Sequence, residues 1–510
     1  MLKKALLLIF CSQARLFAFA RRIRDYYFFR RFRISLFRRF VILRRARIAC
    51  TIGPACRDGG VIEKMALAGM DVARINMSHG SHESHAEAIA EIRSVSARIG
   101  REIAVLLDLS GPKIRLGEFP EPVLLHSGDE ITLTTEEVKG ERGVLPVRYP
   151  LLTKELREGD SLSLIDGLIQ LKVLAVGVME LRALVLHGGT VSSFKGVNLP
   201  TGGEGFPALT KKDIADLRFG LREGVDWVSM SFVRAAEDAG EARKIMAEQK
   251  SQARLMAKIE KRQALRNLDA IIEKFDGIMV ARGDLGVEVP LEELPGHQKR
   301  IIKKANLAAK PVVTATQMLL SMVANPTPTR AEVTDVANAI ADGTDAVMLS
   351  EETAVGKDPV KAVEVMAAIA DKAEELKEFG GQKPIYAGVS AKPAEAIARA
   401  SFAVAVETGA KIIITPTTSG STARLISASR PSQPILALST LPQTVRALAL
   451  SWGVTPMLTP EPEDTDALLE QCRAKALESG LAAPGDLAIV TAGLPLNEAG
   501  TTNLLKIIRL

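Results

Sequence analysis

Eight short apolar runs, each followed by a helical pattern, constrain the fold of this chain more than any other feature. From Arg47 onward, they alternate with stretches rich in Ala, Glu, Lys and Leu, which is typical of βα units in a parallel sheet. The runs are RIACTIGP (47–54), VARINMSHG (72–80), IAVLLDLSGP (103–112), VDWVSMSFVR (225–234), RLMAKIE (254–260), DGIMVARGD (276–284), KPVVTATQ (310–317) and TDAVMLSEE (344–352). Nearly every run turns polar at its C-terminal end. Because such strand ends form the active-site face of a (β/α)8 barrel, we predict that fold.

The regular spacing of these runs is broken once, between the third and the fourth. Residues 115–199 hold alternating apolar residues punctuated by Gly, which indicates a small inserted β-barrel domain that could act as a lid over the barrel mouth. A polar segment near residue 380 precedes a separate α/β domain, residues 381–510. We therefore predict an α/β protein: a TIM barrel made of 46–114 and 200–380, an inserted β lid domain and a C-terminal α/β domain.

The first 45 residues differ from the rest of the chain in charge and in aromatic content. They hold thirteen Lys and Arg against one acid, so the formal net charge of +6 conceals a main body of about −6, which gives no argument for nucleic-acid binding. Three interpretations of residues 1–45 stay open: a membrane-surface segment, an organelle targeting peptide, or an upstream extension outside the fold. We favour the extension because the composition changes sharply near Arg47. The segment has no uncharged apolar run long enough to span a bilayer.

Cysteine and histidine usage narrows the chemistry. The four cysteines show no metal-ligand spacing and no disulfide framework, which fits a reducing, cytoplasmic location. The six histidines form no ligand cluster in the sequence, and neither a Walker A motif nor a Ser-His-Asp constellation occurs. A thiolate or imidazole metal centre is therefore not expected.

Charged residues at the ends of the predicted strands indicate chemistry on an anion. Glu260 and Asp284 follow neighbouring strands and supply the hard oxygen ligands that suit Mg²⁺ or Mn²⁺. Lys258 lies two residues before Glu260 and so points to the same side of its strand. Arg74 and Arg115 add positive charge at other strand ends. A phosphate or a carboxylate is therefore the natural substrate.

From these residues alone, two classes of enzyme stay open. One is metal-assisted phosphoryl transfer, in which catalysis is mainly positioning and charge neutralisation. The other is a Mg²⁺-dependent lyase or aldolase that acts through the enolate of a 2-oxo acid. A barrel kept only as a regulatory scaffold is a third interpretation, which the intact set of Lys258, Glu260 and Asp284 disfavours.

The order and number of several motifs resemble those of the pyruvate kinase family, from Arg47 to the C-terminus. The matching segments are CTIGPA, GMDVARINMSHG, DGLI, KGVNLP, SFVR, KIE, IMVARGDLGVEVP, TATQML, NPTPTRAEVTDVANAIADGTDAVMLS and GTTN. The resemblance implies transfer of phosphate from phosphoenolpyruvate to ADP, giving pyruvate and ATP, the last step of glycolysis. It also implies a C-terminal effector domain and, by analogy, a homotetramer.

The resemblance also implies roles for the residues at the barrel mouth. Glu260 and Asp284 would hold the divalent ion, Lys258 would neutralise the phosphoryl group in transfer, and Arg74 would grip the phosphate. Three consecutive residues would bind the substrate carboxylate through their backbone: Arg282, Gly283 and Asp284. These expectations place metal, phosphate and carboxylate side by side.

Two further groups of residues take their roles from the same resemblance. Protonation of the enolate would involve Thr316, with Ser350 and Glu352 in a water relay. Nucleotide contacts would come from three residues: His79, Arg115 and Lys195. Both groups follow predicted strands or lie in the links to the inserted domain, where the substrates would meet.

One departure from the family pattern concerns the monovalent cation. Where the family often has DTKGPEIR, this chain has DLSGPKIR at 108–115. The usual cation site lies near a Glu that is Lys113 here, and its other positions correspond to Asn76, Ser78, Asp108 and Leu109. Because the Lys113 ammonium would put a fixed positive charge where K⁺ otherwise sits, we expect activity that does not require K⁺.

In the C-terminal domain, the segment TPTTSGSTAR (415–424) resembles the loop that binds phosphate groups of allosteric effectors. Its hydroxyls and glycine can form an anion nest, and the residues concerned are Thr417, Thr418, Ser419, Gly420, Ser421 and Thr422. An ordinary βα turn is the alternative. The sequence does not distinguish a sugar phosphate from a nucleotide as the effector.

Overall fold

The computed structural model describes residues 44–165, 167–199, 205–375, 392–495 and 501–510. Most of the predicted leader lies outside the described residues, as do the predicted boundary near residue 380 and the return from the inserted domain to the barrel at residue 200. Among the described residues, no helix combines the length and the apolar character needed to cross a membrane.

The chain begins with three parallel strands and two helices of the barrel. These elements are β1 (Arg47–Thr51), α1 (Gly59–Ala68), β2 (Val72–Asn76), α2 (His82–Ile99) and β3 (Ala104–Asp108). Helix α2 begins where Ser81 and Ser84 form a reciprocal capping box, and it ends at Gly100, whose φ of 65° suits a residue without a side chain. Local capping thus fixes the helix bounds.

Two arginines of the predicted leader belong to this part of the barrel. Arg44 is buried and donates to Asp71 Oδ2 at 2.9 Å, while the backbone N–H of Arg45 donates to Glu374 Oε2 at 2.9 Å. The expectation that all of residues 1–45 lie outside the fold is therefore wrong at its last two residues. Composition did not reveal this because the acidic partners lie far along the sequence.

The inserted segment forms a β domain with a core of its own. Its elements are β4 (Val123–Leu125), β5 (Glu130–Thr134), β6 (Val144–Pro146), α3 (Leu152–Glu155), β7 (Ser161–Leu164), β8 (Ile169–Val176), β9 (Glu180–His187), β10 (Gly189–Val191) and β11 (Val197–Asn198). Six strands form one sheet in the order β11-β7-β8-β9-β5-β6, and β4 pairs with β10. Alternate residues of β8, including Leu171 and Val173, are buried, as strand geometry requires. The core also includes Ile114, one residue before the predicted start.

The rest of the barrel follows the inserted domain. Its elements are α4 (Lys211–Arg222), β12 (Trp227–Met230), α5 (Ala239–Glu248), β13 (Arg254–Ile259), α6 (Arg262–Arg266), α7 (Leu268–Lys274), β14 (Gly277–Ala281), α8 (Arg282–Glu288), α9 (Leu294–Leu307), β15 (Val312–Ala315), α10 (Arg330–Ala341), β16 (Ala346–Leu349), α11 (Glu351–Ala354) and α12 (Pro359–Glu375). Eight parallel strands close in the order β1-β16-β15-β14-β13-β12-β3-β2. The predicted TIM barrel is confirmed.

Four aspartates close the amino-terminal face of this barrel in the same way. Each comes directly before a strand and accepts the first free N–H of a neighbouring strand, at 2.8–2.9 Å. They are Asp71, Asp226, Asp276 and Asp345. A buried N–H at a strand start needs an acceptor. These carboxylates accept the backbone N–H groups that have no partner strand where the pairing begins.

The C-terminal part is a separate α/β domain, as predicted. Its elements are α13 (Pro393–Thr408), β17 (Ile412–Pro416), α14 (Ser421–Ala428), β18 (Ile435–Ser439), α15 (Pro442–Leu448), β19 (Val454–Leu458), α16 (Thr465–Ser479), β20 (Leu487–Gly493) and β21 (Thr502–Arg509). The sheet order is β19-β18-β17-β20-β21, with β21 antiparallel to its neighbour.

This domain plugs the amino-terminal face of the barrel. Ala447 and Leu450 join the apolar cluster inside the barrel, and Trp227 Nε1 donates to the Ala447 carbonyl at 3.0 Å. Arg446 Nε lies 2.7 Å from Asp226 Oδ1. With that end occupied, the carboxyl end of the strands is the face left for a site.

Candidate active site

A lysine lies between two carboxylates at the carboxyl end of the barrel. Lys258 places its Nζ 3.0 Å from Glu260 Oε1 and 3.4 Å from Asp108 Oδ1, and donates to Ser231 Oγ at 2.8 Å. Lys258 and Glu260 share one side of the chain because they are two residues apart in an extended segment. The side chains of Asp108 and Glu260 are each 1% exposed, so this ion cluster is shielded from bulk water.

Asp108 also holds an arginine. Arg74 Nε donates to Asp108 Oδ2 at 2.7 Å, and another guanidinium nitrogen of Arg74 donates to Thr51 Oγ1 at 2.9 Å. Asp108 accepts a further bond from Ser229 Oγ at 2.7 Å. Burial alone would raise the pKa of Asp108, but the charges of Lys258 and Arg74 hold it below its ordinary value. The two cations are thus fixed beside one ionised carboxylate.

The protonation states of Lys258 and Glu260 follow from the same cluster. Burial would lower the pKa of Lys258, but Asp108 and Glu260 raise it above its ordinary value, so the ammonium is retained. Burial raises the pKa of Glu260, and Asp284 adds to this; Lys258 and the Phe232 N–H, which donates to Glu260 Oε2 at 2.6 Å, offset part of it. The site therefore carries a permanent cation beside acidic oxygens.

Two carboxylates could hold a divalent ion here. Glu260 follows β13 and Asp284 lies in α8, which follows β14, and these two strands are paired. Within the described ranges, no group of three or more His, Cys, Asp or Glu side chains is placed to bind a metal. A pair of carboxylates whose other ligands would be water and substrate oxygens fits Mg²⁺ or Mn²⁺ and does not fit a closed structural site.

In the turn that begins α8, the backbone itself lies close to the site. A Cβ on Gly283 would lie 2.7 Å from Thr316 Cγ2, so only glycine fits there. The Arg282 guanidinium turns away to Asp335 Oδ1, at 2.7 Å, and to the Thr316 carbonyl, at 2.7 Å, so its backbone is what remains for a ligand. Thr316 has a φ of 77°, an unusual conformation for a β-branched residue.

Glu352 joins the last two barrel loops. Its Oε1 accepts the backbone N–H of Leu319 at 3.0 Å, and its Oε2 accepts that of Ser350 at 2.7 Å. The residue is 1% exposed. The carboxylate thus positions the loop that carries Thr316 relative to the loop that carries Ser350, a contact that nothing in the sequence indicated.

The residues predicted to surround a monovalent cation take part in three separate sets of contacts. Asn76 Oδ1 accepts the N–H of Ser78 at 3.2 Å, while Leu109 is buried. Asp108 is bonded to Arg74 and Lys258, as described above. The Nζ of Lys113 lies 3.7 Å from Asp284 Oδ1, at the start of α8.

The three predicted nucleotide residues are exposed at the barrel mouth and in the links to the inserted domain. A guanidinium nitrogen of Arg115 donates to the Phe194 carbonyl at 3.0 Å, so Arg115 is held against the segment that carries Lys195. His79 lies in the loop between β2 and α2, where its carbonyl contacts His85 Nε2 at 2.7 Å. All three side chains are accessible to a ligand.

A cleft between the inserted domain and the barrel contains two lysines. Lys113 and Lys261 line it together with Arg234 and Phe232. Lys261 Nζ lies 2.6 Å from Glu288 Oε1, which fixes it at the cleft wall. Sequence reasoning did not single out Lys261, although it directly follows Glu260.

In the C-terminal domain, the predicted effector loop lines a cavity of about 80 Å³. The N–H of Gly420, which has a φ of 78°, donates to Thr417 Oγ1 at 3.0 Å, and Thr422 Oγ1 lies 2.7 Å from Thr502 Oγ1. The predicted loop residues that line the cavity are Thr417, Thr418, Ser419, Ser421 and Thr422. Further hydroxyls come from the ends of β18 and β21 and from residues next to β18, β19 and β21, and they were not predicted: Ser439, Thr440, Thr459, Thr501 and Thr502.

Comparison with known proteins agrees with this architecture. A family model described as the pyruvate kinase barrel domain matches residues 43–363, and one described as the pyruvate kinase alpha/beta domain matches residues 395–508. A pyruvate kinase of Geobacillus stearothermophilus is 44% identical over 471 residues, which cover 91% of this chain and 80% of the relative. A pyruvate kinase of Staphylococcus aureus strain MRSA252 is 43% identical over 472 residues, with the same coverage.

Fold, site and relatives together define the class of this enzyme, which is a phosphotransferase of the barrel type. The match extends over both the barrel and the C-terminal domain and is well above the identity at which only a fold is shared. The chain belongs to the pyruvate kinase family.

Proposed function

We propose that this chain transfers the phosphoryl group of phosphoenolpyruvate to ADP, giving pyruvate and ATP, with a divalent metal ion and without a requirement for K⁺. The observation that carries the proposal is the fixed ammonium of Lys258, 3.0 Å from Glu260 at the carboxyl end of the barrel. A permanent cation beside two potential metal ligands suits a multiply charged phosphate substrate.

Glu260 and Asp284 would hold Mg²⁺ or Mn²⁺. When bound, the ion neutralises the charge on the substrate oxygens. The backbone N–H groups of the turn from Arg282 to Asp284 would bind the substrate carboxylate, because the missing Cβ of Gly283 lets that group approach. Substrate would thus lie between the metal carboxylates and α8.

In the proposed transfer, the bond from phosphorus to the enol oxygen breaks and a bond from phosphorus to a terminal oxygen of ADP forms. Lys258 would neutralise the phosphoryl oxygens as they move, and Arg74 would hold them in line. Asp108 positions both cations, since it contacts Arg74 at 2.7 Å and Lys258 at 3.4 Å. The products of this step are ATP and the enolate of pyruvate.

The second step would add a proton to the terminal carbon of the enolate. Thr316 lies beside Gly283 and would deliver the proton together with Ser350 through water. Glu352 would keep these two residues in register, because its oxygens already bind the backbone of both loops. Its part in a water relay is therefore indirect in this proposal.

Other parts of the proposal concern ligands and assembly. His79, Arg115 and Lys195 would contact the nucleotide below the inserted lid, and the residues from Thr417 to Thr422 would bind a phosphorylated allosteric effector. We further propose a homotetramer in the cytoplasm that binds no nucleic acid. These statements rest on membership of the family and on the exposed groups described above.

The test is to incubate the purified chain with phosphoenolpyruvate, ADP and MgCl₂ in a buffer whose only monovalent cation is tetramethylammonium, and to measure pyruvate and ATP. The expected result is equal formation of both products, abolished by EDTA. Cleavage of a 2-oxo acid without nucleotide would favour a lyase instead. Effector binding without turnover would favour a regulatory scaffold.

A further inference from the structure

Three cationic side chains lie at the contact between the barrel and the C-terminal domain without a carboxylate partner. Arg254 begins β13 and Arg424 lies in α14, and both guanidinium groups donate to the carbonyl of Ser419, at 2.8 and 3.3 Å. Lys310 precedes β15, and its Nζ donates to the Phe275 carbonyl at 2.7 Å. In the part of the chain that the structure describes, none of these three groups forms an ion pair within 4.0 Å.

Asp276, whose charge acts on Lys310 and Arg424, is already engaged by other groups. Asp276 Oδ2 accepts the N–H of Leu255 at 2.9 Å and lies 2.8 Å from a guanidinium nitrogen of Arg243. Burial and the charge of Arg254 lower the pKa of Arg424 to about 10, and burial lowers the pKa of Lys310. Like charges that are partly buried and share one carbonyl are unfavourable unless an anion joins them.

A small cavity beside these cations contains an unsatisfied hydroxyl. Lys310 and Arg424 line it together with Ser451, whose buried Oγ has no hydrogen-bond partner. Asp345 also lines the cavity, but Val312 N–H, Arg430 and the N–H of Trp452 already occupy its oxygens. The enclosed volume is about 10 Å³, which has room for one water-sized group, so a single oxygen atom of a ligand bound at the mouth would enter it.

We propose that Arg254, Lys310 and Arg424 form a binding site for one phosphate-like dianion between the barrel and the C-terminal domain. The group is either free inorganic phosphate or the phosphate of a small metabolite. Two guanidinium groups and an ammonium supply the charge-assisted hydrogen bonds that a tetrahedral oxyanion accepts, and Ser451 Oγ supplies a neutral one.

This site is separate from the cavity of the effector loop. None of the three cations lines that cavity, whose wall consists of hydroxyl and apolar groups. The two sites share only Ser419: its hydroxyl donates to Ser421 Oγ at 3.1 Å on the cavity side, and its carbonyl accepts from both arginines. An anion here would join α14 to the start of the strand that carries Lys258.

Crystallography with selenate, an anomalous scatterer of the same shape and charge, tests the location. We expect an anomalous peak between Arg254, Lys310 and Arg424 in the full chain. The peak should disappear in Arg424→Gln and persist in Lys475→Gln, an exposed lysine in α16 that pairs with Glu478. Peaks confined to the barrel mouth or to the hydroxyl cavity would overturn the proposal.

Thermal unfolding measures the same site in solution. Sulfate should raise the unfolding temperature of Lys475→Gln more than chloride of equal ionic strength does. This difference between the two salts should be smaller in Arg424→Gln, because the affinity for sulfate falls by at least about tenfold. Without multivalent anions, Arg424→Gln should be no less stable than wild type, because it removes a like charge. Lys310→Gln provides a second variant if Arg424→Gln does not fold. An undiminished sulfate effect in both variants would contradict the proposal.

The source of the phosphate is separated by comparing inorganic phosphate with glycerol phosphate in the same measurement. A larger stabilisation by inorganic phosphate would assign the site to the free ion, and a larger one by the ester would assign it to a metabolite. If neither compound gives a stabilisation that is lost in Arg424→Gln, the cations bind no phosphate. Because no step of this test uses turnover, it stands apart from the proposed catalytic activity.

Discussion

Nζ of Lys113 lies 3.7 Å from Oδ1 of Asp284, one of the two carboxylates proposed to bind the metal. Each side chain is 29% exposed, so the pair stands at the wall of the site rather than in bulk solvent. The carboxylate of Asp108, the acid among the residues predicted for a monovalent cation, is already shared by Arg74 and Lys258. A fixed ammonium and a neutralised acid leave little attraction for K⁺.

We therefore predict equal kcat/KM for phosphoenolpyruvate in tetramethylammonium and in K⁺ buffers of the same ionic strength. Lys113→Glu should create a dependence on K⁺ of at least about tenfold, because it replaces the resident cation by an acid. Lys139→Glu, at an exposed lysine of the inserted domain, is the control for the same change of charge. A Lys113→Glu enzyme that ignores K⁺ would refute the role given to Lys113.

The backbone cradle at α8 predicts that Gly283→Ala is strongly impaired. The new methyl group would lie 2.7 Å from Thr316 Cγ2, so the turn must move away from the position proposed to bind the substrate carboxylate. A displacement of this size costs about a hundredfold in kcat/KM. Gly286→Ala is the matched control, because its Cβ would meet nothing closer than 3.4 Å. Steady-state kinetics with equal losses in both variants would argue against the cradle.

Asp71 predicts part of the pH dependence of stability. Burial alone would raise its pKa, but Arg44, Arg47 and Arg101 hold it below the ordinary 3.8. A carboxyl whose pKa is lowered in the folded state contributes fully to stability when the pH is above its pKa in the unfolded state. This contribution is lost as the pH falls through its pKa in the folded state.

Asp71→Asn should therefore lower the free energy of unfolding by about 3–5 kcal/mol at pH 7, because it leaves buried arginines unpaired. The difference from wild type should narrow below pH 3.8. Urea unfolding at pH 7 and in acid measures both quantities. A constant difference across this range would show that Asp71 does not titrate with folding.

The packing of the C-terminal domain against the amino-terminal face of the barrel predicts that truncating a buried leucine there lowers the stability of the protein and leaves its catalytic activity unchanged. Leu450 is fully buried in the cluster inside the barrel, so Leu450→Ala should cost about 2–5 kcal/mol. Leu441→Ala, at a leucine 42% exposed just before α15, should cost far less. Denaturant unfolding of both variants decides this, and equal costs would mean that the plug does not contribute.

Much of the barrel was predictable because its signal is local. Each βα unit shows its apolar run and its helix within a short stretch of chain, and the two-residue spacing of Lys258 and Glu260 fixes their common side. The resemblance then supplied roles for individual residues. Three of these residues, Lys258, Glu260 and Asp284, lie at one end of the barrel.

What the sequence did not show depends on partners that are distant along the chain. Ser231 lies 27 residues before Lys258, and Leu319 lies 33 residues before the Glu352 carboxylate that binds its N–H. The burial of Arg44 was missed for the same reason. The cluster of Arg254, Lys310 and Arg424 comes from three separate elements and has no common motif.

The role of the Lys258 ammonium is tested by comparing kcat of Lys258→Met with that of the wild type, measured as pyruvate formed from phosphoenolpyruvate and ADP with Mg²⁺. The control is an unchanged secondary structure by circular dichroism. If the ammonium between Glu260 and Asp108 neutralises the phosphoryl group in transfer, kcat falls by about a hundredfold to a thousandfold or more. A folded Lys258→Met enzyme whose kcat stays within about tenfold of wild type would contradict the assignment of this site.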